Sequence, residues 1–209
     1  MPRTTPRRLA IAGVLAAIAV AATPVAAQAA SPTCTAKDGD TIARNTTTRV
    51  FIRTTGTIDD GQDVRVYSCR LHTRTAILAT RFRNDLDGSL RVEEAILGSS
   101  KYLGIMWDEE TGTADATDVY LYDLSVPDGR FFTFSRDGLR EGLQAVVTRN
   151  GALAVQDGGA VTVFDSAGKR VLAPTGATAL GWGAGTNTVY WTVGPTPFST
   201  VLAGRAKDS

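Results

Sequence analysis

Short runs of β-branched and aromatic residues, separated by glycine, asparagine and aspartate, dominate the chain after about residue 40. Runs of this kind are typical of β-strands bounded by turns. The one segment with a helix-like pattern, residues 136–147, contains Gly138 and Gly142, which argue against a helix. We therefore predict an all-β fold with strands in residues 41–44, 49–53, 63–67, 75–80, 90–97, 102–107, 118–123, 130–134, 143–148, 152–156, 160–165, 169–172, 178–182, 189–193 and 199–202.

The predicted strands are organised as an internal repeat. Three successive units contain four strands each, and a final unit contains three. Corresponding strands recur after about 40 to 55 residues, a spacing typical of repeat architectures in which each unit is one supersecondary element. The sequence thus predicts about four diverged antiparallel units.

Two of these units share a short motif. A strand ends in aspartate, a turn follows that contains Gly-Arg or Gly-Lys, and a short apolar strand comes next; the aspartates are Asp123 and Asp165. The pattern resembles blades of secreted bacterial β-propeller-like repeat proteins over most of residues 41–203. The first unit departs from it, with Ser68 and Cys69 at the strand end. The resemblance implies a small β-propeller-like array and transfers no catalytic residue.

Two questions about this architecture stay open at the level of sequence. A β-sandwich is the alternative arrangement for many short strands. The last unit lacks an outer strand, and residues 33–45 could supply it, because propellers often close by pairing strands from the two termini.

The first 29 residues have the pattern of a cleavable signal peptide. Three arginines and no acidic residue precede an apolar run at residues 9–22, and residues 27–29 are Ala-Gln-Ala. The run has about fourteen residues, fewer than the roughly 20 that span a membrane. The predicted organisation is a signal peptide (1–29), an N-terminal segment tied by a disulfide (30–40), a propeller-like domain (41–204) and a disordered tail (205–209).

Charge and cysteine content fit a secreted protein without a membrane span after cleavage. Three of the 22 basic residues lie in the signal peptide, which leaves 19 against 21 acidic residues. This balance gives no basic stripe for nucleic acid. Export favours a disulfide between Cys34 and Cys69. Closing the loop between them would stabilise the folded state by roughly 3 to 4 kcal/mol.

The residue types present offer little for a catalytic triad or a metal site. His72 is the single histidine, and no Gly-x-Ser-x-Gly elbow accompanies it. One histidine and two paired cysteines do not make a zinc site. We predict no cofactor, with a calcium loop at Asp85, Asp87 and Glu94 as a further hypothesis; Arg83 at its first ligand position argues against it.

Acidic residues gather in loops that would share one face of a propeller. A near-neutral protein with such a face would attract cations or a basic partner. The candidate acidic face consists of Asp59, Asp60, Asp63, Asp108, Glu109, Glu110, Asp115 and Asp118.

Three tryptophans, Trp107, Trp182 and Trp191, could form an aromatic platform for sugar. All three lie in predicted strands, and packing in the core is the commoner use of a tryptophan there.

These observations favour a non-enzymatic binding or scaffold module outside the cytoplasm, with an unidentified envelope or extracellular partner. The alternative is a hydrolase or lyase that acts on extracellular polysaccharide with paired carboxylates.

Overall fold

A computed structural model of the protein describes residues 34–35, 39–57, 61–84, 88–111, 114–139 and 141–207. The predicted signal peptide lies outside these residues. Within the described ranges the chain forms β-strands joined by turns and loops, which confirms the all-β prediction. None of the described residues belongs to a helix that could cross a membrane.

The first two sheets are antiparallel and follow the order of the chain. Sheet 1 consists of β1 (Asp40–Arg44), β2 (Thr48–Thr55), β3 (Gln62–Arg70) and β4 (Thr75–Asn84). Sheet 2 consists of β5 (Gly88–Leu97), β6 (Tyr102–Thr111), β7 (Ala114–Asp123) and β8 (Arg130–Asp137).

The last two sheets follow the same plan with shorter strands. Sheet 3 consists of β9 (Gln144–Val147), β10 (Leu153–Asp157), β11 (Ala160–Asp165) and β12 (Gly168–Ala173). Sheet 4 consists of β13 (Ala177–Trp182), β14 (Thr188–Val193) and β15 (Thr196–Val201). The described strands therefore form four sheets, as the repeat predicts, rather than the two sheets of a β-sandwich.

Local side-chain and glycine chemistry explains where the strands turn. Asn45 Oδ1 accepts hydrogen bonds from the backbone N–H groups two and three residues further on, and Ser99 Oγ does the same in sheet 2. Such bonds stabilise a turn in place of a ladder. Between β10 and β11, Gly158 and Gly159 both have positive φ, at 54° and 82°. Two-residue hairpin turns require this conformation, which glycine adopts without strain.

The aspartate of the repeat motif closes the turn after the third strand. Asp123 Oδ1 accepts the N–H of Ser125 at 2.9 Å, and Asp165 Oδ1 accepts the N–H of Ala167 at 2.9 Å. Asp165 is fully buried and also accepts the N–H of Ala203. The aspartate of the motif therefore stabilises a tight turn.

Hydrophobic clusters lie between successive sheets. The cluster between sheets 1 and 2 includes Val66 and Trp107, and the cluster between sheets 2 and 3 includes Leu121 and Leu153. The cluster between sheets 3 and 4 includes Trp191. Packing of successive sheets thus removes apolar side chains from water, and this removal is the main favourable term in folding.

The described residues ahead of β1, which are Cys34, Thr35 and Gly39, contact sheet 1. A disulfide joins Cys34 to Cys69 with the two Cα atoms 5.7 Å apart, and the predicted pairing is confirmed. Arg49 is buried and donates hydrogen bonds to the carbonyls of Thr35 and Gly39. Disulfides persist in oxidising compartments, so the bond indicates an extracytoplasmic environment.

One expectation about the chain ends is wrong. In the described part of residues 33–45, β1 pairs with β2 as the first strand of sheet 1, so it does not complete sheet 4. At the other end, the described part of residues 205–209 makes contacts with the domain. Ala206 is 2% exposed in the cluster between sheets 2 and 3, and its N–H bonds to the carbonyl of Gly151. Pattern reasoning missed this contact because it covers only one apolar side chain.

Candidate functional site

A cavity of about 640 Å³ lies where the C-terminal ends of three first strands meet. It is lined by residues 43–47 at the end of β1, residues 94–99 at the end of β5, and three residues at the end of β13: Trp182, Ala184 and Gly185. Small-molecule sites typically have volumes of roughly 300 to 1,000 Å³. Sheets 1, 2 and 4 therefore contribute to one concave site of suitable size.

The lining combines one aromatic ring with a few charged and polar groups. Trp182 is half-buried and is the aromatic residue that lines the cavity among the described residues. Glu94 supplies a carboxylate and Arg44 supplies a guanidinium, and both residues are exposed. Thr46 and Ser99 add hydroxyls. This mixture of an apolar surface with a few polar groups is characteristic of sites that orient a small organic ligand.

Trp182 has a fixed position because it also belongs to the core. Its strand partner is Val189, which is fully buried between sheets 3 and 4, and directly opposite residues in a sheet project from the same face. The indole therefore packs against that core on one side. The other two tryptophans are core residues: Trp107 is 1% exposed, and Trp191 is 8% exposed and stacks on Phe198.

The acidic residues lie at the opposite end of the sheets. The turns that line the cavity join first strands to second strands, whereas the acids flank the connections between second and third strands. In antiparallel sheets these connections lie at opposite ends. We call them the turn end, which holds the cavity, and the loop end, which holds the acids.

Asp63, the first of these acids in the described ranges, is neutralised by arginines. Its carboxylate accepts hydrogen bonds from Arg81 at 2.7 Å and from Arg65 at 2.7 Å. The hydrogen bond from Arg81, followed by that from Arg65, holds the pKa of Asp63 below its usual value, against the opposing effect of burial. Asp63 therefore contributes little negative field to the loop end.

The acids of sheet 2 are strand residues in the β6–β7 hairpin, rather than loop residues. Asp108 accepts a hydrogen bond from the hydroxyl of Thr117, and Asp118 accepts one from Tyr120. Successive strand residues point to opposite faces, so Asp108 and Glu109 diverge. Among the described side chains of this hairpin, Glu109 and Asp115 are exposed, whereas Asp108 and Asp118 are half-buried. Because Asp115 pairs with Glu110, it lies on the face opposite to that of Glu109.

Several predicted site residues lie outside what the structure describes. Asp59, Asp60, Asp85 and Asp87 fall in the gaps, and the side chain of Glu110 is not described. Glu94, the last residue of the calcium hypothesis, lies in β5 and lines the cavity. Among the described residues, no three histidine, cysteine or acidic side chains are grouped as a metal site would need.

A smaller cleft of about 340 Å³ lies between sheets 1 and 2. Thr80, Tyr120, Tyr122 and Arg130 contribute to its lining, and the hydroxyl of Tyr122 bonds to Thr80 Oγ1 at 3.3 Å. Burial raises the pKa of Tyr122 to about 12, and burial also raises the pKa of Tyr120. Both hydroxyls therefore stay protonated near neutral pH and cannot act as bases there.

His72 lies exposed in the turn between β3 and β4, with no described carboxylate bonded to it.

Comparisons of the chain with protein-family models, with curated proteins and with solved structures returned no match. The candidate site accordingly rests on its own geometry. Pattern reasoning missed the cavity because its lining residues are dispersed over three repeat units.

Proposed function

We propose that the protein is a secreted, non-enzymatic binding module whose ligand enters the cavity at the turn end. The observation that carries this proposal is the cavity itself, which three sheets line with one half-buried indole and a few polar groups. The disulfide supports a site of action outside the cytoplasm. The pattern of residues 1–29 adds an export signal to the same argument.

The cavities described above favour binding over hydrolysis. Glycoside hydrolysis needs two carboxyl groups roughly 5 to 10 Å apart. Among the described residues, Glu94 is the one carboxylate that lines the larger cavity, and Asp128 is the one that lines the smaller cleft. The described part of the chain therefore offers a carboxylate-dependent hydrolase or lyase no second carboxyl group at either place.

We also propose that the four sheets are blades around a common axis that passes through the cavity. First strands of successive sheets contact one another, as β1 with β5, β5 with β9 and β9 with β13. Sheets 1 and 4, the first and last in the chain, line the same cavity. This arrangement is what a small propeller requires at its centre.

Chemical cross-linking tests the proposed closure. Cysteines placed at Thr46 and Ala184, on either side of the cavity, should react together with a short bis-maleimide. A control pair at Thr46 and Ala167, an exposed turn of sheet 3 that does not line the cavity, should not. Equal reaction of both pairs would refute closure of sheet 4 toward sheet 1.

A capture experiment tests the binding function. The mature chain is immobilised and exposed to a cell-envelope extract as wild type, as Ala184→Trp, which fills the cavity mouth, and as Ala167→Trp. The control changes another exposed alanine of a turn to tryptophan, outside the cavity. We expect the same ligands on wild type and control, and their loss from Ala184→Trp. Identical profiles for all three would reject the cavity as the binding site.

A second candidate function uses the loop end. Glu109 and Asp115 would attract a basic partner to the β6–β7 hairpin, because their charges remain accessible. The pair Glu109→Gln and Asp115→Asn should then slow association with that partner and reduce its dependence on salt. Capture that is insensitive to both substitutions would leave the cavity as the sole candidate.

A further inference from the structure

We infer that the ligand of this cavity is an uncharged saccharide, with one pyranose ring stacked on Trp182. The inference rests on the proposed binding function and specifies its ligand class. Three features of the lining point to a sugar: a rigid aromatic surface, balanced charges among hydroxyl-binding groups, and small residues that expose backbone.

The first feature is the indole. A pyranose ring has an apolar face of C–H groups and a polar rim of hydroxyls, so it gains most from a flat apolar surface bordered by polar groups. Trp182 provides such a surface, because part of its ring lines the cavity while the remainder packs against the core between sheets 3 and 4. A ring that is already fixed loses little rotamer entropy when a ligand binds.

The second feature is the arrangement of polar groups from two other sheets. Glu94 accepts hydrogen bonds from sugar hydroxyls through a carboxylate, and such charge-assisted bonds are about twice as strong as neutral ones. Arg44 and Thr46 supply donors from sheet 1. One carboxylate and one guanidinium leave the site close to neutral, which disfavours a strongly charged ligand.

The third feature is access to the backbone. Ala184 and Gly185 form the sheet 4 rim, and Gly185 has a φ of +72° with nothing within 4 Å of where a Cβ would stand. Ala43 and Ala95 contribute further small side chains. A ligand can therefore approach the peptide groups, which offer additional hydrogen-bonding partners around the sugar ring.

A titration with defined sugars tests the inference. The probes are glucose, galactose, mannose and N-acetylglucosamine with their β-1,4-linked disaccharides; glucuronic acid represents a charged sugar and choline a cation suited to an aromatic ring. Calorimetry and tryptophan fluorescence report binding. We expect at least one neutral sugar to bind more tightly than glucuronic acid or choline.

Substitutions of the lining residues test whether the sugar binds in the cavity. Trp182→Ala should weaken binding at least about tenfold, as truncation of a central aromatic contact commonly does, whereas Trp182→Phe should retain part of the affinity. Tyr190→Ala is the matched control, because Tyr190 is an exposed aromatic residue of the same sheet outside the cavity lining. Glu94→Gln provides a second variant that leaves the indole and its core packing intact, and it should weaken binding several-fold.

The titration and the variants together test whether a neutral sugar binds on Trp182. Absence of neutral-sugar binding, a preference for choline or glucuronic acid, or equal loss in Tyr190→Ala and Trp182→Ala would overturn the inference. The capture experiment with Ala184→Trp separates this failure from failure of the proposed function. A ligand that Ala184→Trp loses, in a protein that binds no sugar, would reject the saccharide and keep the binding module.

Discussion

The two aspartates of the repeat motif should differ sharply in their contribution to stability, although their sequence contexts are alike. Asp123 ends β7 and Asp165 ends β11, and each closes the turn that follows. Replacement by alanine removes the carboxylate in both cases. The tertiary surroundings of the two carboxylates predict unequal costs.

The carboxylate of Asp165 is buried and joins three separate positions of the chain. Its side chain is fully buried, and it accepts the N–H groups of Ala167 and Ala203 at 2.9 Å each while pairing with Arg170. Hydrogen bonds to a charged group contribute about 1.5 to 3 kcal/mol each, and the buried carboxylate accepts two of them from backbone N–H groups. Arg170 is 42% exposed and returns to water. We expect Asp165→Ala to destabilise the fold by about 3 to 5 kcal/mol.

The contacts of Asp123 are weaker and more exposed to solvent than those of Asp165. Its side chain is 11% exposed, its ion pair with Lys101 is 3.4 Å long, and its turn bonds go to the exposed Ser125. Water can replace the carboxylate at that serine, so we expect Asp123→Ala to cost about 1 to 2 kcal/mol.

Urea denaturation followed by tryptophan fluorescence measures both changes, with Asp115→Ala as an exposed control expected within about 0.5 kcal/mol of wild type. For a domain of this size, a cost of 3 kcal/mol lowers Tm by about 6 to 12 °C. Equal costs for the two aspartates, or a cost below about 1 kcal/mol for Asp165→Ala, would refute the argument from buried hydrogen bonds.

Three further measurements test the packing and the charges. Cys34→Ser should lower the free energy of unfolding by about 3 to 4 kcal/mol, and an unchanged melting temperature under reductant would contradict a constraining disulfide. Gly104→Ala places a Cβ 2.7 Å from Val147 between sheets 2 and 3 and should cost about 1 to 3 kcal/mol, whereas Gly181→Ala, with nothing within 4 Å, should be neutral or slightly stabilising. The pKa of Asp63 is lowered in the folded state from 3.8, so the stability that its ionised carboxylate contributes is complete above that value and is lost as the pH falls through the folded-state pKa. Asp63→Asn should therefore reduce the loss of stability with falling pH below about pH 4. Identical dependence of stability on pH in wild type and variant would contradict this.

Local patterns were sufficient for the secondary structure and the repeat. Strand runs, Asp-Gly and Gly-Gly turns and the Asp123 and Asp165 motifs depend on neighbours within a few residues, which is why fifteen strands in four groups could be predicted from the sequence. The pairing of Cys34 with Cys69 was predictable for a different reason, since only two cysteines are present.

The candidate site could not be predicted in this way. Trp107, Trp182 and Trp191 all lie in strands, and the sequence does not distinguish the indole that faces a cavity from the two that are buried. That distinction depends on which sheets adjoin, a long-range property. The same limit applies to charge, because the sequence predicts Asp63 on an acidic face while strand register places it against Arg65 and Arg81.

By itself, the sequence determined the all-β class of fold, the division into four units and the disulfide. Periodicity, turn chemistry and composition are local, so they can be read along the chain. Only the tertiary structure decided which residues converge, because the cavity brings together side chains from β1, β5 and β13 that are about 50 to 140 residues apart. It moved the candidate binding site from the acidic loop end to the turn end, where Trp182 and Glu94 line one space.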